Sequence, residues 1–174
     1  MKVAVGLSGG VDSAVTAYLL KEQGYEVVGA IMRIWREGKC APTATKGNAC
    51  YGPDEGHDVA DAQAVCDHLG IPLHAIDCAD QYEKTVLRYF REEYTAGRTP
   101  NPCIVCNHAI KFGVLPEVLA ESGTLFDRFA TGHYARLRVE GADGLSFEED
   151  CSVTVKGSMS LPTPKRGPVD KGTI

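Results

Sequence analysis

The chain has no surplus of positive charge. Lys and Arg total 18 against 23 Asp and Glu, a formal net charge of −5. A broad phosphate-binding surface is thereby excluded, and any nucleic-acid contact must be local. Long apolar runs are missing too. Val3-Ala4-Val5-Gly6-Leu7 is interrupted by Ser8-Gly9-Gly10 and Asp12, too short for a signal-peptide core or a membrane span. The seven cysteines cannot all pair, which argues for free thiols in a reducing, cytoplasmic compartment rather than a disulfide framework. There is no internal repeat. No lysine stands between Lys2 and Lys21. The Gly-Lys-Ser/Thr ending of a Walker loop is therefore absent, and γ-phosphoryl transfer is disfavoured.

What is present suits one soluble domain of 174 residues, 44% apolar and 24% charged. Val3–Leu7 reads as a buried strand and Ser13–Glu22 as a helix with Val15, Leu19 and Leu20 inward, stopped at Gly24. Glu26–Ile34 is a second strand. Residues 36–56, with Gly38, Pro42, Gly47, Gly52, Pro53 and Gly56, read as a long loop. Asp58–Leu69 is a helix that buries Ala62, Val65, Cys66 and Leu69 and stops at Gly70. Leu73–Ile76 is a strand. Asp80–Tyr94 is a helix with Tyr82, Val86, Tyr89 and Phe90 on one face. A loop over 96–107 leads to a helix over Ala109–Glu121, with Phe112, Leu115 and Leu119 inward, and Arg128–Thr131 is a fourth strand. This alternation predicts an α/β fold, a doubly wound parallel sheet with helices on both faces. Ligands of such sheets bind beyond the carboxyl ends of the strands. Residues 156–174, rich in Pro, Gly, Ser and Lys, follow an acidic stretch and read as a poorly ordered tail.

Ser8-Gly9-Gly10-Val11-Asp12-Ser13 lies between the first strand and its helix. The glycines let backbone approach an anion closely. The unpaired N–H groups and the dipole of the helix start favour a phosphate or pyrophosphate there. Ser8 and Ser13 add hydroxyls, and Asp12 either holds Mg²⁺ against the phosphates or caps the helix. The bland alternative is a tight turn before a capped helix.

The second feature is Thr99-Pro100-Asn101-Pro102-Cys103-Ile104-Val105-Cys106-Asn107. Such a Cys-x-x-Cys pair can ligate zinc or an iron–sulfur cluster, exchange disulfides, or supply a nucleophile. A helix starting just after Cys106 would lower a thiol pKa, with Lys111 adding positive charge. A closed tetrahedral metal site needs about four ligands, and no second Cys-x-x-Cys exists. Cys66 and Cys78 read as core residues, while Cys40 and Cys50 fall in the long loop. Lys84, Arg88, Arg91, Arg98 and Lys111 either meet nucleic-acid phosphates or form a solvated face with Glu83, Glu92 and Glu93.

The hexapeptide from Ser8 to Ser13 resembles the signature of the ATP pyrophosphatases, which cleave ATP between the α- and β-phosphates and adenylate a substrate oxygen. With the cysteine segment, Ile110-Lys111-Phe112, Phe129-Ala130-Thr131-Gly132-His133-Tyr134-Ala135 and Gly29-Ala30-Ile31-Met32-Arg33-Ile34-Trp35, the chain resembles the tRNA-specific 2-thiouridylases over roughly residues 1–138. That resemblance implies an adenine nucleotide alpha hydrolase-like, Rossmann-like domain over 1–138 and an atypical region over 139–174. It implies adenylation of the C2 oxygen of the wobble uridine of tRNA, then sulfur transfer from a cysteine persulfide, giving 2-thiouridine, AMP and pyrophosphate. Carried over by motif, Gly6, Leu7, Ser8, Gly9, Gly10, Val11, Asp12 and Ser13 would bind ATP, with Mg²⁺, alongside Met32 and Gly132. Asn101, Pro102 and Cys103 would face the target base, and Cys106 would be the nucleophile. The implied partners are tRNA and a sulfur-relay or cysteine-desulfurase donor, with no membrane.

Two departures accompany the resemblance. Cys103 stands where many members have Asp, which points to an iron–sulfur cluster on Cys103, Cys106 and a third cysteine. The family's second catalytic cysteine and tRNA-binding domains are not readable after Gly132-His133-Tyr134, and Cys151 lies in an unrelated acidic context. The expectation is a chain holding the nucleotide domain. The rival functions are an ATP pyrophosphatase that adenylates a carboxylate, which would not need the cysteine segment, and a non-catalytic nucleotide- or metal-binding module.

Overall fold

The computed structural model describes residues 1–35 and 55–134, with the backbone of residues 138–141 and 144–147. The long loop with Cys40 and Cys50, and Cys151 with most of the expected tail, lie outside the described residues. Four strands, β1 (Lys2–Leu7), β2 (Glu26–Arg33), β3 (Leu73–Asp77) and β4 (Arg128–Thr131), form a parallel sheet in the order β3-β2-β1-β4. From β1 the chain winds one way, through α1 (Val11–Glu22), β2 and α2 (Glu55–Leu69), to β3. It then returns across the sheet through two helical runs, α3 (residues 79–95) and α4 (Pro102–Glu121), and lays β4 on the other side of β1. The predicted doubly wound sheet is the observed one. Residues 138–141 and 144–147 pair as an antiparallel hairpin, β5 and β6.

Helices cover both faces. Val3, Val5, Leu7, Val27 and Ile31 pack against Ala17 and Leu20 of α1 and Ala62, Cys66 and Leu69 of α2. Ala4, Val28, Ala30 and Ile76 pack against Tyr82 and Val86 of α3 and Cys106, Ile110, Leu115 and Leu119 of α4. A central parallel strand is apolar on both sides for this reason, and Val3, Ala4 and Val5 are all fully buried. Cys66 and Cys78 sit in these cores as expected, and burial pushes their thiols up to about 11 and about 12. Gly24 and Gly70 take positive φ just past the ends of α1 and α2, the helix stops read from the sequence.

The helix faces differ from the expected ones in three places. On α1, Val15 is 44% exposed. Ser13, Thr16, Ala17 and Leu20 face the sheet instead, a small-residue stripe of helical spacing that the larger Val15 and Leu19 obscure. Phe90 on α3 and Phe112 on α4 are likewise exposed. Both helices contain π-helical turns, Glu83–Leu87 and Asn107–Val114. A wider turn rephases everything after it, so Ile110 takes the core position that a 3.6 period gives to Phe112. α4 has the length and mean hydropathy, 1.4, of a membrane span, but its apolar side lines the sheet.

Two helix starts also move. α2 begins at Glu55, whose carboxylate accepts the Ile34 and Trp35 N–H groups at 2.5 and 3.0 Å. α4 begins at Pro102, inside the segment expected to be loop. Asn101 Oδ1 accepts the Ile104 N–H at 3.3 Å, and Pro102 fills the first turn, a cap and a preset φ that together nucleate the helix.

Gly29 tests the close packing of α2 on the sheet. A methyl group there would lie 2.8 Å from Cys66 Sγ and 2.9 Å from Leu7 Cδ1. Gly29→Ala is expected to lower stability by about 1–3 kcal/mol, read as a drop in the urea midpoint at unchanged slope.

Candidate functional site

The strand order reverses at β1, because β2 lies on one side of it and β4 on the other. The chain therefore diverges at the carboxyl ends of β1 and β4, the crevice where doubly wound sheets bind ligands. A cavity of about 270 Å³ opens there. Its floor is Gly6, Leu7, Ile31 and Met32. One wall is Ser8, Asp12 and Ser13; the others are Glu55 and Asp58 of α2, Lys111 and Leu115 of α4, and Thr131, Gly132 and His133 after β4.

The loop after β1 is held by Ser13. Its Oγ donates to the Gly10 carbonyl at 3.0 Å and accepts the Ser8 N–H at 3.3 Å. The Ser8 hydroxyl stands 3.3 Å from the same atom. No side chain caps α1, whose N-cap is Gly10, so its first N–H groups remain open to an anion. Asp12 does not cap either; its carboxylate accepts the Tyr134 hydroxyl at 2.8 Å. Gly9 has no room for a side chain, since a methyl group would stand 3.0 Å from the Asp58 backbone.

The fourth wall depends on a second contact between backbones. A methyl group on Gly132 would lie 2.6 Å from Ser13 N and 2.8 Å from the Asp12 carbonyl carbon. The loop after β4 thus rests directly on the start of α1. His133 follows, its Nδ1 2.8 Å from Thr131 Oγ1 and its ring 5.4 Å from that of Phe112. Burial, and after it the Lys111 ammonium, hold this imidazole below its ordinary pKa, so it is neutral at neutral pH.

Of the residues expected to bind ATP, Gly6, Leu7, Ser8, Asp12, Ser13, Met32 and Gly132 line the cavity. Gly9 and Gly10 shape the turn behind it, and Val11 points away, 77% exposed. The cysteine segment stands outside the cavity at the start of α4. Cys103 is exposed, while Cys106 is only 7% exposed and packs in the core with Cys78. The helix starts at Pro102, before both cysteines, and not just after Cys106 as the sequence suggested. Among the described residues no group of three His, Cys, Asp or Glu side chains is placed to hold a metal, so Cys103 and Cys106 find no third cluster ligand there. The exposed Glu93–Arg98 pair, joined by two hydrogen bonds of 2.6 Å, lowers the carboxyl pKa of Glu93 and ties the end of α3 to the turn before Asn101.

Glu55, Asp58 and Thr131 are cavity residues the sequence reading did not select. Only the Gly132-His133-Tyr134 signal pointed at their neighbourhood; Glu55 falls inside the segment read as loop and Asp58 was read as the start of the next helix.

Residues 1–156 match the family model described as the tRNA methyl transferase HUP domain. The chain is 51% identical over 145 residues to the tRNA-specific 2-thiouridylase MnmA of Endomicrobium trichonymphae, covering 83% of this chain and 40% of that protein. It is 52% identical over 141 residues to the protein of the same name from Proteus mirabilis, covering 79% and 35%. The chain thus spans 40% or less of the length of these curated relatives. A predicted subunit of tRNA methyltransferase from Methanocaldococcus jannaschii superposes with a TM-score of 0.45 at 21% identity, over 77% of this chain and 53% of the other.

Gly132→Ala is expected to push the β4 loop off α1 and to cost about 1–3 kcal/mol, measured by urea unfolding. The depressed His133 pKa sets a sign as well. Between its folded value and the ordinary 6.5, the unfolded chain binds a proton more readily than the folded one. Stability therefore falls as pH drops through that window, and His133→Gln is expected to flatten the fall in a pH series of unfolding midpoints.

Proposed function

Because the chain belongs to the tRNA methyl transferase HUP-domain family, and its relatives are 2-thiouridylases, we propose that it acts in ATP-dependent 2-thiolation of tRNA wobble uridine. One observation carries this reading: a single helix, α4, presents Lys111 and Leu115 to the nucleotide cavity and begins with Cys103 and Cys106. Nucleotide activation and sulfur chemistry would share that rigid element. A carboxylate-adenylating enzyme has no use for the cysteines.

ATP would lie with its adenine over the apolar floor at Ile31 and Met32 and its phosphates at the start of α1, where N–H groups and the helix dipole favour anions. Asp12 is the residue that would hold Mg²⁺, which when bound neutralises phosphate charge. Attack of the uridine C2 oxygen on the α-phosphorus expels pyrophosphate and converts a poor leaving group into a good one. The terminal sulfur of a donor persulfide then displaces AMP from C2. A thiolate attacking the remaining S–S bond frees 2-thiouridine and leaves a disulfide for an external thiol to reduce. Cys106 is the thiolate we assign to this chain. At 7% exposure it reacts only if the first turn of α4 shifts to admit the partner sulfur. Asn101, Pro102 and Cys103 form the exposed start of α4 and would meet the base. Asn101 spends its Oδ1 on the helix cap and keeps its amide donors for the target. The sulfur would come from a relay or cysteine-desulfurase protein, and free thiols suit the cytoplasm.

The reading predicts AMP release that requires both tRNA and a persulfide donor. Cys106→Ser should form no 2-thiouridine while binding ATP as tightly as the parent. AMP release indifferent to tRNA would overturn the assignment; mass spectrometry of digested tRNA and an AMP assay supply both readouts.

A further inference from the structure

The cavity is electrically lopsided. Its acidic side chains, Asp12, Glu55 and Asp58, come from the start of α1 and from α2. The one Lys or Arg among its lining residues is Lys111, on the opposite wall. All three acids already have partners. Glu55 accepts the N–H groups that follow β2, and Asp12 accepts the Tyr134 hydroxyl. Lys111 pairs with no carboxylate among the described residues. Its place is fixed by neighbours: Ile110 is anchored in the core, and the ring of Phe112 lies tilted against that of His133 at 5.4 Å. The π-helical turn over Asn107–Val114 brings this about, since it lets Ile110 enter the core while Lys111 faces the cavity. Such turns recur at functional sites.

A polyphosphate in this cavity meets only partial positive charge at the start of α1. Among the described residues lining the cavity, a full positive charge stands at Lys111. We propose that Lys111 binds the phosphate chain of the nucleotide and sets its direction, drawing the phosphates between α1 and α4 and leaving the nucleoside toward α2. The inference rests on the nucleotide reading of the cavity given above. Acidic Glu55 and Asp58 would repel phosphates on the α2 side. The same ammonium stands close enough to His133 to disfavour its protonation, which places it at the mouth formed by the loop after β4.

The test compares the parent with Lys111→Met and Lys111→Arg, titrated with ATP and with adenosine at fixed Mg²⁺. Loss of a charge-assisted contact should weaken ATP binding by about 10- to 100-fold in Lys111→Met, with adenosine affinity unchanged and with Arg restoring most of the loss. In the ligand-free Lys111→Met protein the His133 pKa, followed by NMR, should rise. Unchanged ATP affinity in Lys111→Met would overturn the proposal, and so would equal losses for ATP and adenosine. A parent protein that binds no ATP would instead defeat the nucleotide reading itself.

Discussion

The backbone of Gly132 lies against the backbone of Asp12 and Ser13 with no space for a methyl group between them. This contact closes the crevice at the point where the strand order reverses. It fixes the distance between the ends of β1 and β4, and so the width of the cavity. It also seats Thr131 and His133, against which Phe112 rests, and thereby orients the helix that carries Lys111. Side chains could not perform this task as sharply, because a rotamer can give way and a peptide plane cannot.

Much of this was legible in the sequence for a simple reason. Buried parallel strands are short apolar runs, and the loop from Ser8 to Ser13 announces its position by its glycines. All four strands of the parallel sheet, their alternation with helices and the edge of the sheet where the cavity opens follow from these. Helix faces were harder to read. A fixed period of 3.6 misplaces Phe90 and Phe112, because π-helical turns widen the helix and no residue type marks them. Val15 was misread differently: α1 approaches the sheet through Ser13, Thr16 and Ala17, so polar and small residues occupy the buried stripe. Asn101 and Pro102 are strong helix-start signals that the neighbouring prolines and cysteines made look like a loop.

Chemically, the molecule separates two demands. In the proposed reading, anion binding rests on backbone N–H groups at a helix start, which hold their dipoles at any pH, with the Lys111 ammonium facing them. The cysteines proposed for sulfur chemistry stand apart on α4, one turn of which carries an exposed and a buried thiol. Cys106 is buried in the core beside Cys78, whose thiol burial pushes up to about 12.

Glu55 has a consequence of a different kind. Its carboxylate holds the N–H groups of Ile34 and Trp35 and approaches Arg33, so the two ends of the stretch between residues 35 and 55 are clasped by one side chain. The clasp fixes the baseline of that stretch independently of what it contains. The cavity wall at Glu55 is therefore tied to the end of β2 by this side chain itself, so a substitution at Glu55 reaches the sheet edge and the cavity together.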